Sequence, residues 1–245
     1  MINSEHHVLI LGCGRSGTSI FGEYFEHLNA YTYLSEPPFA HLKALDYSKP
    51  VAIKVPKESP EFPPTPGLSF PLESMLTTIP EPRIFFWQVR HPLDTICSLK
   101  VGISKNWGHH PKPPDWQDWL ERPLVEQCAH HWNYINTIGY EKVADLVEIS
   151  RFEDMIARPF EFASRLNGII GINTERNLPE IQQWVSRVQN TNNRQFIEAK
   201  TSQPYSTKDH TVRVERWKEN LTKNEIESVV PIIMETARKF DYELP

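Results

Sequence analysis

Cysteine is scarce: three residues in 245, at Cys13, Cys97 and Cys128. They are too few and too scattered for a disulfide framework or a zinc ribbon, and they fit a reducing compartment. Long apolar runs are also missing. None approaches the ~20 residues that span a bilayer. The N-terminus, MINSEHHVLIL, has no basic n-region and no long apolar h-region, so no signal peptide is expected. Basic charge is not in excess. The net charge is −5 and the pI ≈ 6.1, which argues against duplex nucleic acid as a partner. The chain therefore reads as soluble and cytoplasmic. With 39% apolar residues it can bury one sizeable core. No repeat or linker divides it, so 1–245 is expected to be a single domain.

What is present is an alternation of strands and helices. VLIL (8–11), VAIKV (51–55), IFFWQV (84–89) and LVEI (146–149) are short, β-rich and apolar throughout, as strands buried on both faces are. AYTYLS (30–35) is a fifth candidate. Helical spacing follows Gly17, in Ile20, Phe21, Tyr24, Phe25 and Leu28. HPLDTICSLKV opens with Pro92 near the first helical position. Helices are also expected over 122–141, 151–170 and 222–240, the last opened by Thr222 with Glu225 three residues on. The rhythm predicts a doubly wound α/β fold with a mainly parallel sheet. Two regions interrupt it, 56–71, dense in proline, and 106–123, which mixes proline with tryptophan. Both are expected to be long loops or lids over one face.

A further absence is local. The apolar run 8–11 leads into GCGRSGTS, the layout of a phosphate-binding loop at a helix N-terminus. The nucleoside-triphosphate pattern needs Gly-Lys-Ser/Thr there. Here Gly17 is followed by Thr18 and Ser19, and Arg15 stands inside the loop. No acid follows the strand 84–89 to hold a magnesium ion; Arg90 does. Each strand delivers something polar near its C-terminal end: the loop Gly12–Ser19, Glu36, Lys54 with Lys57 close behind, Arg90 and Arg151. Ligands of open α/β sheets bind at those ends, so these groups are expected to converge. Asp94 and Ser98 lie four apart, on one face of the helix after Arg90. An arginine beside a helix start, with a hydroxyl on that helix, makes a second anion site. Two anion sites on one rim point to a ligand with phosphates at two places.

These residues resemble the sulfotransferases that use 3′-phosphoadenosine-5′-phosphosulfate (PAPS). GCGRSGTSIF is similar to their 5′-phosphosulfate loop, RHPLDTICSLK to their 3′-phosphate motif, EISRFEDMIARP to a later strand–helix element, and RVERWKENLTKNEI with FDYEL to their C-terminal end. Arginine in the loop and glutamate in YLSEPPF look more like the carbohydrate and bacterial branches than the cytosolic phenol branch. The resemblance implies that Gly14, Arg15, Ser16, Gly17, Thr18 and Ser19 hold the 5′-phosphosulfate, and that Arg90 and Ser98 hold the 3′-phosphate. It places Phe152 at the adenine and one or more of Lys208, Arg213 and Arg216 over the 3′-phosphate. Trp217 stacks on the adenine or, as preferred here, packs in the core.

Sulfuryl transfer is a problem of positioning and charge stabilisation, like phosphoryl transfer. The resemblance assigns Glu36 as the base for the acceptor. Lys54, with Arg15 sharing the role and Lys57 as a further candidate, meets charge on the leaving oxygen. His109 or His110 stands as an alternative base. The histidine pairs show no metal-ligand spacing, so no metal is expected. The acceptor is a small molecule, a carbohydrate or a lipid. A small-molecule P-loop kinase and a nucleotide-binding protein without catalysis are the alternative readings.

Overall fold

Five short strands form one parallel sheet, in which the three central strands are buried over all or most of their length and the two edge strands are more exposed. The structure, a computed structural model, describes residues 5–190 and 214–245. In chain order the elements are β1 (His7–Gly12), α1 (Thr18–His27), β2 (Thr32–Ser35), α2 (Phe39–Lys43), β3 (Val51–Lys54), α3 (Leu72–Thr78), β4 (Arg83–Val89) and α4 (Pro92–Ile103). Then come α5 (Leu124–Tyr134), β5 (Val147–Arg151), α6 (Phe152–Ala157), α7 (Pro159–Ile170), α8 (Leu178–Asn190), α9 (Trp217–Asn220) and α10 (Lys223–Lys239). The strand order is β2-β3-β1-β4-β5, and every pairing is parallel. This is the expected doubly wound α/β class.

The central strands are apolar on both faces because both faces are covered. Leu9, Ile53, Phe85 and Trp87 join α3, α4, α5 and α10 in one core. Val8, Ile10, Ala52 and Phe86 join α1, α6, α7 and α8 in the other. Because all five strands run the same way, their C-terminal ends share one rim, with β1 at the centre. The strand order turns about β1, which leaves it between β3 and β4 at that rim.

Sequence and structure differ in a few places. The expected helix over 151–170 is two, α6 and α7. Arg158 lies at φ −139° and Pro159 takes the first position of α7, since a residue before proline avoids the helical region. The helix expected over 122–141 is α5 followed by a π turn at Ile135–Gly139. The capping box at Thr222 and Glu225 forms as expected. Segment 106–123 contains only one short 3-10 turn, Trp116–Trp119, and 56–71 holds isolated bridges but no helix or strand. Among the described residues, no helix is long and apolar enough to cross a membrane.

Candidate functional site

The loop after β1 is built on backbone that most side chains resist. Gly17, at φ 93°, precedes α1, and a Cβ there would meet the Phe152 ring at 2.3 Å. Arg15 lies at φ 70°, in the left-handed region that costs a non-glycine residue about 1 kcal/mol or more. That conformation carries the Arg15 side chain to α4, where its Nε donates to Ser98 Oγ at 3.0 Å. Arg90, 6% exposed, donates from Nη1 to the Arg15 carbonyl at 3.2 Å. The two motifs singled out in the sequence are therefore one site.

Arg216 joins them. Asp94, fully buried, accepts the backbone N–H groups of Glu215 and Trp217 at 2.8 and 3.0 Å. This carboxylate on α4 fixes the turn that opens α9 and brings Arg216 to the rim. Burial, then the nearby Arg90, pushes the Arg216 guanidinium down to about 10. Arg15 is lowered by the same two causes. Like charges packed this closely and this dry repel one another, and an anion among them relieves the cost. Phe152 is 2% exposed and backs the Arg90 guanidinium, 4.4 Å from its ring centroid. Trp217 is half-buried and packs on the core, near-parallel to the His91 ring at 5.9 Å. Lys208 and Arg213 lie outside the described residues.

On the other side of the loop, Lys54 ends β3. Its Nζ donates to Glu36 Oε1 at 2.6 Å and to Ser19 Oγ at 3.2 Å. The lysine side chain is 6% exposed and that of Glu36 is 46%. Glu36 sits at φ 53° with its N–H on the Lys54 carbonyl at 2.9 Å, so neighbouring strands place the pair. A cleft of about 810 Å³ opens here, bounded by Gly14, Thr18, Glu36, Lys54, Lys57 and His109. His109 packs against Gly14 and Gly102, where an added Cβ would meet its ring at 3.2 and 2.2 Å. Burial, then Arg15, then His110 lower its pKa to about 4, leaving a neutral imidazole in the cleft. Behind it, His131 accepts at Nδ1 from Trp107 at 3.2 Å and is held neutral by burial.

Convergence is not complete. Arg151 ends β5 at the same rim, as expected, but its side chain does not line the cleft. It instead pairs with Asp241 at 3.2 Å and lies over Tyr242, so its charge serves the C-terminus. The two long loops were expected to lie over one face. The 56–71 loop contributes to the cleft through Pro56, Lys57, Glu58, Pro60 and Pro63. From 106–123 only Gly108, His109 and His110 reach it. Trp107 is fully buried and Trp119 stacks on His130 at 4.0 Å. His110 pairs with Glu58 at 3.0 Å, joining the two loops at the mouth.

Among the described residues no group of three or more His, Cys, Asp or Glu is placed to hold a metal. Cys13 and Cys128 are fully buried and their pKa values are raised by that burial, as is that of Cys97 to about 12. Burial disfavours the thiolate form of all three.

No protein-family model matches the sequence, and no curated protein matches it either. Solved structures do. Mouse sulfotransferase SULT7A1, complexed with PAP, is 16% identical, with 97% of this chain aligned to 86% of that one at a TM-score of 0.58. The sulfotransferase domain from the curacin biosynthetic pathway is 14% identical, with 99% aligned to 100% at 0.62. A sulfotransferase from Alicyclobacillus acidocaldarius is 10% identical, with 98% aligned to 98% at 0.53. At these identities the likeness is one of fold.

Proposed function

We propose that the protein is a sulfotransferase that moves a sulfuryl group from PAPS to an acceptor hydroxyl (or amine), releasing adenosine 3′,5′-bisphosphate. The observation that carries this reading is the junction of the two anion sites: Arg15 on Ser98 and Arg90 on the Arg15 carbonyl. A fold shared with sulfotransferases, one of them holding PAP, supports it.

The residues present fit such a donor. Gly14–Ser19 offers backbone N–H groups at the start of α1, where anions are favoured. Ser16 Oγ is buried and has no hydrogen-bond partner among the described residues, an arrangement that costs about 1–3 kcal/mol until something satisfies it. Arg90, Ser98 and Arg216 form the basic patch for a 3′-phosphate. The donor supplies the activated sulfuryl group, and the chain's own residues position it and handle the charge and the proton. Lys54, next to Ser19, stabilises charge on the leaving oxygen, and Arg15 shares that role from inside the loop. Glu36 takes the acceptor proton; it is bonded to Lys54 and exposed toward the cleft. His109, neutral and wedged between two glycines, lies beside them.

Among the described residues, the acceptor arm of the cleft is lined by prolines, serines and charged groups, and the only rings with π-faces there are the imidazoles of His109 and His110. A flat phenol would find little to stack on. The walls favour a hydroxylated aliphatic acceptor, whether a small alcohol, a sugar or the polar end of a lipid.

Arg90→Ala tests the reading at its centre. The dissociation constant for adenosine 3′,5′-bisphosphate should rise about 10–100-fold, the scale of a hydrogen bond to a charged group. That for adenosine 5′-phosphosulfate should change little. Equal losses would remove Arg90 from a 3′-phosphate role.

A further inference from the structure

The two arginines of the second anion site, Arg90 and Arg216, are each followed by an aromatic ring, and the C-terminal tail contacts the first of them, His91. The His91 ring lies between Trp217, at 5.9 Å and 10° from parallel, and Tyr242, at 5.5 Å and edge-on. Its Nε2 is 3.1 Å from the Glu243 carbonyl, with which it hydrogen-bonds when that nitrogen carries the proton. The backbone N–H of His91 donates to Glu153 Oε1 at 2.8 Å, and the other oxygen of that carboxylate accepts from the Tyr242 hydroxyl at 2.9 Å. Arg151 ties Asp241 from the end of β5. The tail itself is anchored on the last turn of α10, through Asp241 N–H to the Arg238 carbonyl and Tyr242 N–H to the Ala237 carbonyl. None of these groups lines the cleft, and the bond between Tyr242 and Glu153 is part-buried.

We propose that the C-terminal segment Asp241–Glu243 is a clamp for the 3′-phosphate site, with Tyr242 and Glu153 as positioning residues that hold His91 and, through it, Arg90 and Arg216. The inference rests on the sulfotransferase reading above. Its physical basis is that only Arg90 and His91 separate the end of β4 from the start of α4. The direction of its guanidinium therefore depends on how the His91 backbone is held. Glu153, on α6, supplies that hold, and Tyr242 keeps the Glu153 carboxylate turned toward His91. Phe152, next to Glu153, backs the Arg90 guanidinium, so α6 supports Arg90 from below while the tail supports it from the side.

The test compares Tyr242→Phe with the wild type. Phenylalanine keeps the ring packed on His91 and removes only the bond to Glu153. Binding of adenosine 3′,5′-bisphosphate and of adenosine 5′-monophosphate is measured by calorimetry, with thermal unfolding as a control. The clamp predicts that bisphosphate binding weakens about tenfold while monophosphate binding stays within about twofold. In turnover, the donor KM rises and kcat at saturating donor is kept. Equal weakening of both nucleotides, or of neither, overturns the clamp. Glu153→Gln provides a second readout and should show the same selective loss if Tyr242→Phe folds poorly. A wild-type protein that does not bind the bisphosphate would instead sink the sulfotransferase reading itself, which no behaviour of the variants can mimic.

Discussion

Lys54 is almost fully buried, and its Nζ meets a half-exposed carboxylate and the loop hydroxyl of Ser19. That arrangement suits a cation that must meet developing charge in a dry place. Lys54→Met should lower kcat about 10²–10³-fold while leaving binding of adenosine 3′,5′-bisphosphate nearly unchanged. Glu36→Gln should likewise keep binding and lose turnover by about 10²–10⁴-fold, the usual worth of a positioned base. Steady-state kinetics with titration calorimetry checks both. Turnover of Glu36→Gln at the wild-type rate would pass the base role to His109. His109 also sets a pH dependence. Its folded pKa of about 4 lies below the ordinary 6.5, so the folded protein binds fewer protons than the unfolded chain between those values. The stabilisation is whole above pH 6.5 and is lost as pH falls toward 4. His109→Gln should therefore lose less stability than the wild type over that interval, by about 2 kcal/mol after allowing for partial exposure. Urea melts at pH 7 and pH 4.5 measure it. At this scale the sequence was legible where a residue sits in a motif, as Arg15, Arg90 and Ser98 do. It was not legible for Arg151, whose partner Asp241 is 90 positions away. Arg216 was named from the resemblance as one of three candidates, but what holds it was not legible, since that is Asp94 accepting from a turn more than 120 positions along the chain.

Elements carried the clearest signal. β1, β3 and β4 are apolar on both faces because helices cover both sides, and that composition is visible without any partner. The cap at Thr222 was equally plain, since Thr222 and Glu225 satisfy each other's backbone locally. Thr222→Ala should cost about 1 kcal/mol without touching nucleotide binding, as denaturant unfolding will report. Gly17→Ala should do the reverse kind of damage. It sets a Cβ against Phe152 in a left-handed turn, and a loop forced to shift there should lose bisphosphate binding even where the fold survives. The direction of the tryptophans in 106–123 was not legible. Composition says that a loop holds rings; it does not say that Trp107 turns into the core while His109 turns into the cleft. That choice belongs to packing against α4 and α5, which the local sequence does not contain.

For the whole molecule, topology does what no single motif could. A parallel sheet ordered β2-β3-β1-β4-β5 gathers the loop, Glu36, Lys54 and Arg90 from four different strand ends onto one rim. Segments 75 and 83 residues apart then touch, as Arg15 does with Arg90 and with Ser98. The order of strands was not written in the sequence. The inference that polar residues at strand ends converge did anticipate the rim, because all parallel strands end on the same side. The most direct test is thermal unfolding with adenosine 3′,5′-bisphosphate and, separately, with magnesium ATP. At about 100 times its dissociation constant the bisphosphate should add ~2.7 kcal/mol of stability, a rise of about 5–10 °C for a chain of this size. Magnesium ATP, lacking the 3′-phosphate, should add little. A shift with ATP and none with the bisphosphate would contradict the account.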